Sequence, residues 1–176
     1  MEQDSRYPIG KANMPGEVTE ELRQAWIQDI AELPRRLRAA VQGLAEEQLS
    51  TPYRNGGWTV CQVVHHVADS HLNSYVRFRL ALTEEVPVIK PYDEGRWAEL
   101  PDARDTRLEP SFHILDGVHD RWVTLLRSLS EEQFTKTFIH PASGETVRLE
   151  ENLYLYSWHS RHHTAHITSL RERMNW

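Results

Sequence analysis

The sequence WHSRHHTAHI, residues 158–167, holds four of the ten histidines of this 176-residue chain. Each helical residue turns by about 100°, so His159 and His163 would lie on one face of a helix. His166 lies close to the same line, whereas His162 is turned to one side. Two imidazoles at this spacing can bind one metal ion, as in the helical H-E-x-x-H pattern. The stretch therefore predicts a helix that supplies two metal ligands and needs a third from elsewhere.

A solvent-exposed helix rich in histidine would need no metal, and this is the alternative explanation. The residues at and beyond the two ends of the stretch argue against it, because they are mostly large and apolar. They are Tyr154, Leu155, Tyr156, Ile167 and Leu170. A helix of this composition is expected to be buried, and unpaired imidazoles are costly to bury. The composition therefore favours the metal-binding interpretation.

Composition and charge narrow the class of protein. Apolar residues make up 39% and charged residues 26% of the chain, which is ordinary for one globular domain spanning 1–176. The net charge of -6 argues against nucleic acid as a partner. We find neither a long apolar run nor a signal peptide, and the single cysteine, Cys61, cannot form an internal disulfide. We therefore expect a cytoplasmic protein with no membrane partner.

Apolar residues at three- and four-residue steps predict four long helices. These helices span about 19–41, 59–82, 110–129 and 149–174. The remaining segments are an irregular N-terminal arm at 1–16, a long loop at 83–108 after the second helix, and a short hairpin or extended loop at 133–148. Pro34 is expected to kink or divide the first helix. The pattern predicts an all-α four-helix bundle.

The second predicted helix opens with a capping box, Thr59-Val60-Cys61-Gln62. One face of this helix is a stripe of polar residues, most of them uncharged. The stripe comprises Gln62, His66, Asp69, Ser70, Asn73 and Arg77. A solvent-exposed face usually contains Lys and Glu, and neither occurs between Thr59 and Thr83. The stripe is therefore interpreted as the wall of a polar pocket.

His66 is the candidate third ligand because it lies at the centre of this stripe. The adjacent His65 would point about 100° away and is expected to have a structural role. Three protein ligands with one open position are typical of a catalytic metal. Imidazole suits several ions, and we expect one divalent ion per chain, zinc first and nickel as the alternative. His113, His119 and His140 are assigned no ligand role.

Such a site can activate water for hydrolysis or hold a thiol as its thiolate for S-transfer, and the ligands do not choose between the two. Asp69, Tyr156 and His166 are candidate catalytic helpers, through supporting hydrogen bonds or proton transfer. Asn73 and Arg77 are candidate substrate-binding residues. The substrate class is a small molecule, and a low-molecular-weight thiol is a candidate second substrate. A non-catalytic metal- or ligand-binding bundle with a stress-response role is the alternative function.

The same residues also support a family resemblance. The relevant stretches are Tyr7-Pro8-Ile9-Gly10, Thr51-Pro52-Tyr53-Arg54, Gly56-Gly57-Trp58-Thr59-Val60, residues 62–71, Pro91-Tyr92-Asp93-Glu94, and Trp158 to Ile167. Over nearly the whole chain they resemble the DinB/YfiT-like family, in particular its YfiT branch, whose members are described as metal-dependent hydrolases.

The resemblance implies a four-helix bundle, a metal held by His66, His159 and His163, and a cytoplasmic homodimer. Relatives in the wider superfamily are thiol S-transferases that use thiols such as bacillithiol. The general family pattern often has Arg-Gly-Gln where this chain has Thr164-Ala165-His166, which follows the YfiT branch. The resemblance therefore predicts a metal-dependent enzyme, either a hydrolase or a thiol S-transferase.

Overall fold

The computed structural model describes residues 4–176. Its helices are α1 (Glu20–Val41), α2 (Glu46–Leu49), α3 (Val60–Thr83), α4 (Glu94–Trp97), α5 (Glu109–Ser128), α6 (Glu131–Phe134) and α7 (Leu149–Met174). A hairpin of β1 (Thr137–His140) and β2 (Glu145–Arg148) precedes α7. The four long helices, α1, α3, α5 and α7, form the bundle, so the predicted all-α four-helix bundle is confirmed.

Helices α3 and α7 bring the two predicted halves of the site together. The Ser70 hydroxyl lies 3.1 Å from the Tyr156 hydroxyl. Further along α3, the Asn152 amide donates to the Ser74 hydroxyl at 2.8 Å. The residue numbers of the paired positions increase along α3 and decrease along α7, so the two helices run antiparallel. This pairing places the first turns of α3 beside the histidine-rich part of α7.

The start of α3 is fixed by the predicted capping box. The Thr59 hydroxyl accepts from the Gln62 backbone N–H at 3.3 Å, and Gln62 Oε1 accepts from the Thr59 backbone N–H at 2.9 Å. The Gln62 side chain also donates to the Ala98 carbonyl at 2.7 Å. The cap therefore stabilises the helix start and holds the segment that follows α3 against it.

Helix α1 continues through Pro34, so the predicted division does not occur. A proline inside a helix lacks the N–H that would bond to the carbonyl four residues earlier, here that of Ile30. His119 of α5 supplies the missing donor, because its Nδ1 lies 2.6 Å from the Ile30 oxygen. The freed carbonyl is thus satisfied by a buried side chain from a neighbouring helix.

The long connection after α3, residues 84–108, is called the outer loop. The sequence predicted only a long loop here, whereas the structure contains the short helix α4 and a 3-10 turn at Asp102–Arg104. Helix α4 begins where the Asp93 side chain accepts from the Arg96 backbone N–H at 2.9 Å. The hairpin alternative predicted for 133–148 is confirmed. Ile89 donates to the Ile139 carbonyl at 3.0 Å, which ties the outer loop to the hairpin.

The N-terminal arm lies against α7. The Trp158 indole donates to the Gly10 carbonyl at 3.2 Å, and the Asn13 backbone N–H donates to the Tyr154 hydroxyl at 2.8 Å. Residues 1–3 of the predicted arm lie outside the described residues. Within residues 4–176, every helix is too short or too polar to cross a membrane.

We predict that His119→Leu lowers the free energy of unfolding by roughly 1–3 kcal/mol, because the buried Ile30 carbonyl loses its donor. The loss should be smaller in a Pro34→Ala background, since alanine at position 34 restores a backbone N–H to that carbonyl. Denaturant unfolding of the two single variants and the double variant measures the difference. His113→Leu, on the exposed side of the same helix, is the matched control. Equal losses in both backgrounds would contradict this account of His119.

Candidate metal centre

Three imidazole rings from two helices converge at one point. His66 Nε2 of α3 lies 3.2 Å from His159 Nε2 of α7. The His163 ring centroid lies 4.3 Å from that of His159 and 4.8 Å from that of His66. One ring nitrogen from each of the three residues lies within 4.8 Å of the others. The structure thus brings together the three histidines selected from the sequence.

The spacing of these nitrogens is compatible with a bound ion. Metal–nitrogen bonds of about 2.0–2.1 Å in a tetrahedral site place two ligand nitrogens about 3.3 Å apart. The two Nε2 atoms of His66 and His159 are already close to that spacing. The donor set consists of three neutral nitrogen ligands, a common set for zinc and other transition metals. The residues present therefore fit a divalent ion.

Burial keeps these rings in the form that can bind a metal. Loss of solvation lowers the pKa of His66 to about 4. The same cause lowers the pKa values of His159 and His163 well below the usual histidine value. An imidazole must be unprotonated at the ligating nitrogen to bind a metal. All three side chains are therefore neutral at neutral pH.

A hydrogen-bond chain orients His163. His166 Nε2 lies 3.1 Å from the Arg6 carbonyl oxygen, and His166 Nδ1 lies 3.3 Å from His163 Nδ1. Because a carbonyl can only accept, His166 must donate through Nε2 and accept at Nδ1. His163 then donates from Nδ1, and its Nε2 keeps a free lone pair. The N-terminal arm thereby sets which nitrogen of His163 faces the site.

His71 gives similar support to His159. Its Nε2 lies 3.1 Å from His159 Nδ1, on the side of the ring away from His66. His71 is fully buried, and its ring packs against those of His119 and Tyr156 at 4.9 and 5.0 Å. The sequence analysis did not select His71 as a candidate site residue. Its contact with His159 depends on the pairing of α3 with α7, which periodicity within one helix does not reveal.

The converging rings open onto a cavity of about 600 Å³. Helices α3 and α7 form its inner wall, and the outer loop and the hairpin form its outer wall. Its lining residues are Trp58, His66, Ser70, Arg77, Pro91, Tyr92, Glu94, His140, Ala142, Tyr156, His159 and His163. A cavity of this size accommodates a small molecule.

The predicted helper and substrate-binding residues divide into two groups. Tyr156 and Arg77 line the cavity. Asp69 and Asn73 are outside the described lining, and the Asn73 amide donates to the Asp69 backbone carbonyl at 2.8 Å. Burial, together with the nearby charge of Asp102, raises the pKa of Asp69. His166 lies behind His163 and reaches the cavity only through that ring.

The other histidines have separate environments. His65 lies 2.7 Å from both the Ser111 hydroxyl and the Asp105 carbonyl, consistent with its predicted structural role. His113 is exposed on α5. His140, which was assigned no ligand role, ends β1 and lines the cavity. Sequence reasoning also missed Trp58, whose ring packs 4.6 Å from His66 and precedes the helix cap.

A rival cluster is formed by His162, His163 and His166, whose ring nitrogens are also close together. Its members already have other contacts. His163 and His166 are paired through their Nδ1 atoms, and the His162 ring stacks on Trp158 at 4.1 Å. Binding a metal there through the Nδ1 atoms would break the hydrogen bond between His163 and His166. We therefore favour the cluster that includes His66.

Comparisons with known proteins agree with this architecture. Residues 29–167 match the model of the DinB superfamily. A protein from Bacillus mycoides (strain KBAB4) is 58% identical over 173 residues, which covers 98% of this chain and 99% of the relative. A protein from Bacillus cereus (strain B4264) is 57% identical over the same length and coverage. Both are named "Putative metal-dependent hydrolase".

A solved structure shows the same fold. YfiT from Bacillus subtilis is described as a probable metal-dependent hydrolase with an unusual four-helix bundle topology. It superimposes with a TM-score of 0.94 at 50% sequence identity, and the match covers 98% of each chain. The family match includes all three converging histidines, and the two relatives and this structure cover nearly the whole chain. The chain therefore belongs to the DinB superfamily.

Proposed function

We propose that this chain is a metal-dependent hydrolase that acts on a small molecule, with one divalent ion held by His66, His159 and His163. The observation behind the proposal is the convergence of three neutral ring nitrogens at the wall of a cavity of about 600 Å³. Three protein ligands leave a coordination position open to that cavity. The hydrolase names of the Bacillus relatives and of YfiT support the choice of reaction class.

The cavity provides the remaining chemistry of the site. When bound, the ion would supply Lewis acidity, which activates a water molecule or a thiol for attack on an electrophilic substrate. The Ser70 and Tyr156 hydroxyls, 3.1 Å apart, offer a donor to a substrate oxygen next to the histidines. Burial raises the pKa of Tyr92 to about 12, so its phenol also stays protonated and able to donate. These hydroxyls would position a polar substrate group.

Zinc is the expected ion and nickel the alternative. Neutral imidazoles suit both, and the proposed set contains no carboxylate that would favour magnesium or calcium. His71 and His166 would hold the ligand rings in place through the nitrogens that face away from the ion. Thiol S-transfer, suggested by the wider superfamily, and a non-catalytic binding role are the competing functions.

We predict that His66→Ala, His159→Ala and His163→Ala each abolish stoichiometric metal binding, because two remaining ligands hold the ion poorly. His71→Leu and His166→Leu should weaken metal affinity by about 10–100-fold without abolishing it. Elemental analysis of reconstituted protein and competition with a chelator measure these effects.

His65→Ala and His113→Ala are the matched controls for metal content, and both should retain one ion per chain. Circular dichroism checks that each variant folds. Full metal in His66→Ala together with loss in His65→Ala would show that the ligand on α3 is wrongly assigned. Loss in His162→Ala with retention in His159→Ala would instead favour the rival cluster on α7.

We predict that metal-reconstituted protein hydrolyses small esters, amides or related electrophiles without added thiol. A turnover screen with zinc or nickel, in the presence and absence of low-molecular-weight thiols, measures this activity. Chelation should abolish the turnover, and resupply of the ion should restore it. Turnover only in the presence of thiol would identify an S-transferase, and no turnover in either condition would favour a binding protein.

We also propose that the chain forms a homodimer, as the family resemblance implies. The outer loop offers a partly exposed aromatic side chain, Trp97, which packs on Tyr92 at 4.4 Å. Sedimentation at micromolar concentration should give the mass of two chains. A species of single-chain mass throughout the concentration series would disprove the dimer.

A further inference from the structure

The cavity is lined by a cationic side chain, Arg77, that forms no ion pair with the carboxylates of the described residues. The Arg77 side chain forms no ion pair or hydrogen bond with residues 4–176, and its Nε is buried without a partner. Arg79, two residues further along α3, donates to the Tyr75 hydroxyl at 3.0 Å instead. A buried guanidinium nitrogen without an acceptor is unfavourable. Arg77 is therefore available to a group that enters from outside the chain.

The position of Arg77 relates it to the histidine cluster. His66, Ser70 and Arg77 follow one another along α3 at steps of four and seven residues, so they lie on one face of the helix. His66 and Arg77 are separated by about 16 Å along the helix axis at 1.5 Å per residue. Both line the same cavity, with the Ser70 and Tyr156 hydroxyls between them. The histidines and the arginine thus lie at different positions along α3 and line the same cavity.

The charges around the cavity favour an anionic ligand. Imidazole binds a metal ion as a neutral ligand, so three histidine ligands would leave a divalent ion with its full positive charge. Glu94 is the acidic residue among the lining side chains, and it forms no ion pair with Arg77. It lies on the exposed helix α4 of the outer loop. Arg77 remains the fixed cation at its end of the cavity.

We propose that Arg77 binds an oxyanion group of the substrate, a carboxylate or a phosphate, while the reacting group of the same molecule lies at the histidine cluster. This inference rests on the proposed function and names its substrate class as small acidic molecules. The planar guanidinium can donate two parallel hydrogen bonds to either oxyanion, which fixes the direction of the substrate. A substrate held at both ends would present its central polar group to Ser70 and Tyr156.

Binding measurements with matched probes test the proposal. On zinc-loaded protein, a homologous series of straight-chain hydroxamic acids ending in a carboxylate is compared by calorimetry with the corresponding amides. At the best chain length the carboxylate should bind about 10–100-fold more tightly than the amide, as expected for a charge-assisted hydrogen-bonded pair. Phosphonate-ended probes distinguish a phosphate site from a carboxylate site.

Arg77→Gln should remove the preference for the acidic probes and leave metal content and the circular dichroism spectrum unchanged. Arg77→Lys should restore part of the preference, because the charge returns without the paired donors. Arg79→Gln is the matched control on the same helix and should keep the full preference. A preference that survives Arg77→Gln, or its absence from the wild type at every chain length, would overturn the assignment of Arg77.

A second readout does not depend on the metal. Saturation-transfer NMR of hexanoate and hexanamide with metal-free protein should show binding of the acid that disappears in Arg77→Gln. Binding of hexanoate to the wild type and to Arg77→Gln alike would count against the proposal. Acetohydroxamate, which has no acidic end group, reports on the open metal position alone. Its failure to bind zinc-loaded protein, with the hexanoate result intact, would refute the proposed metal function and leave the Arg77 assignment standing.

Discussion

The contact between His66 Nε2 and His159 Nε2, 3.2 Å apart, is the interaction on which the rest of the site depends. Two ring nitrogens can face each other at this distance only if the rings are not both charged. Burial ensures this by lowering the pKa values of both histidines. The bundle supplies the burial through α3 and α7, and these helices must run antiparallel for the rings to meet. The packing of α3 against α7 therefore determines both the positions of the rings and their protonation state.

The histidine cluster is also connected to Pro34 of α1 through two further histidines. Pro34 removes a backbone donor from α1, and His119 satisfies the carbonyl of Ile30 that this leaves free. The His119 ring then stacks on His71, which lies against His159. Residues from all four long helices thus contribute to the position of one imidazole. A sequence feature that reads as a helix breaker becomes part of the support for the candidate site.

The sequence was sufficient for the parts of the structure that depend on local pattern. Periodicity and the Thr59–Gln62 capping box predicted the long helices, and angular spacing selected His66, His159 and His163. Contacts between different helices could not be predicted from the sequence pattern. The sequence analysis assigned no role to His71 or His119, because their partners are a ring on α7 and a freed carbonyl on α1. Asp69 shared the polar stripe but is not among the residues that line the cavity, since a stripe about 60° to either side of His66 is wider than one cavity wall.

The inner wall of the cavity consists of core helices, whereas its outer wall consists of a loop and a hairpin, and these two walls can diverge differently within the superfamily. The histidines stand on core helices, where substitution disturbs the packing of the bundle. The outer wall comes from the outer loop and the hairpin, which are joined by backbone hydrogen bonds at Ile89 and Ile139. Such bonds do not depend on the identity of the side chains. Residues such as Tyr92, Glu94 and Ala142 can therefore be exchanged in evolution without loosening the wall, so that substrate preference can diversify around an unchanged histidine cluster.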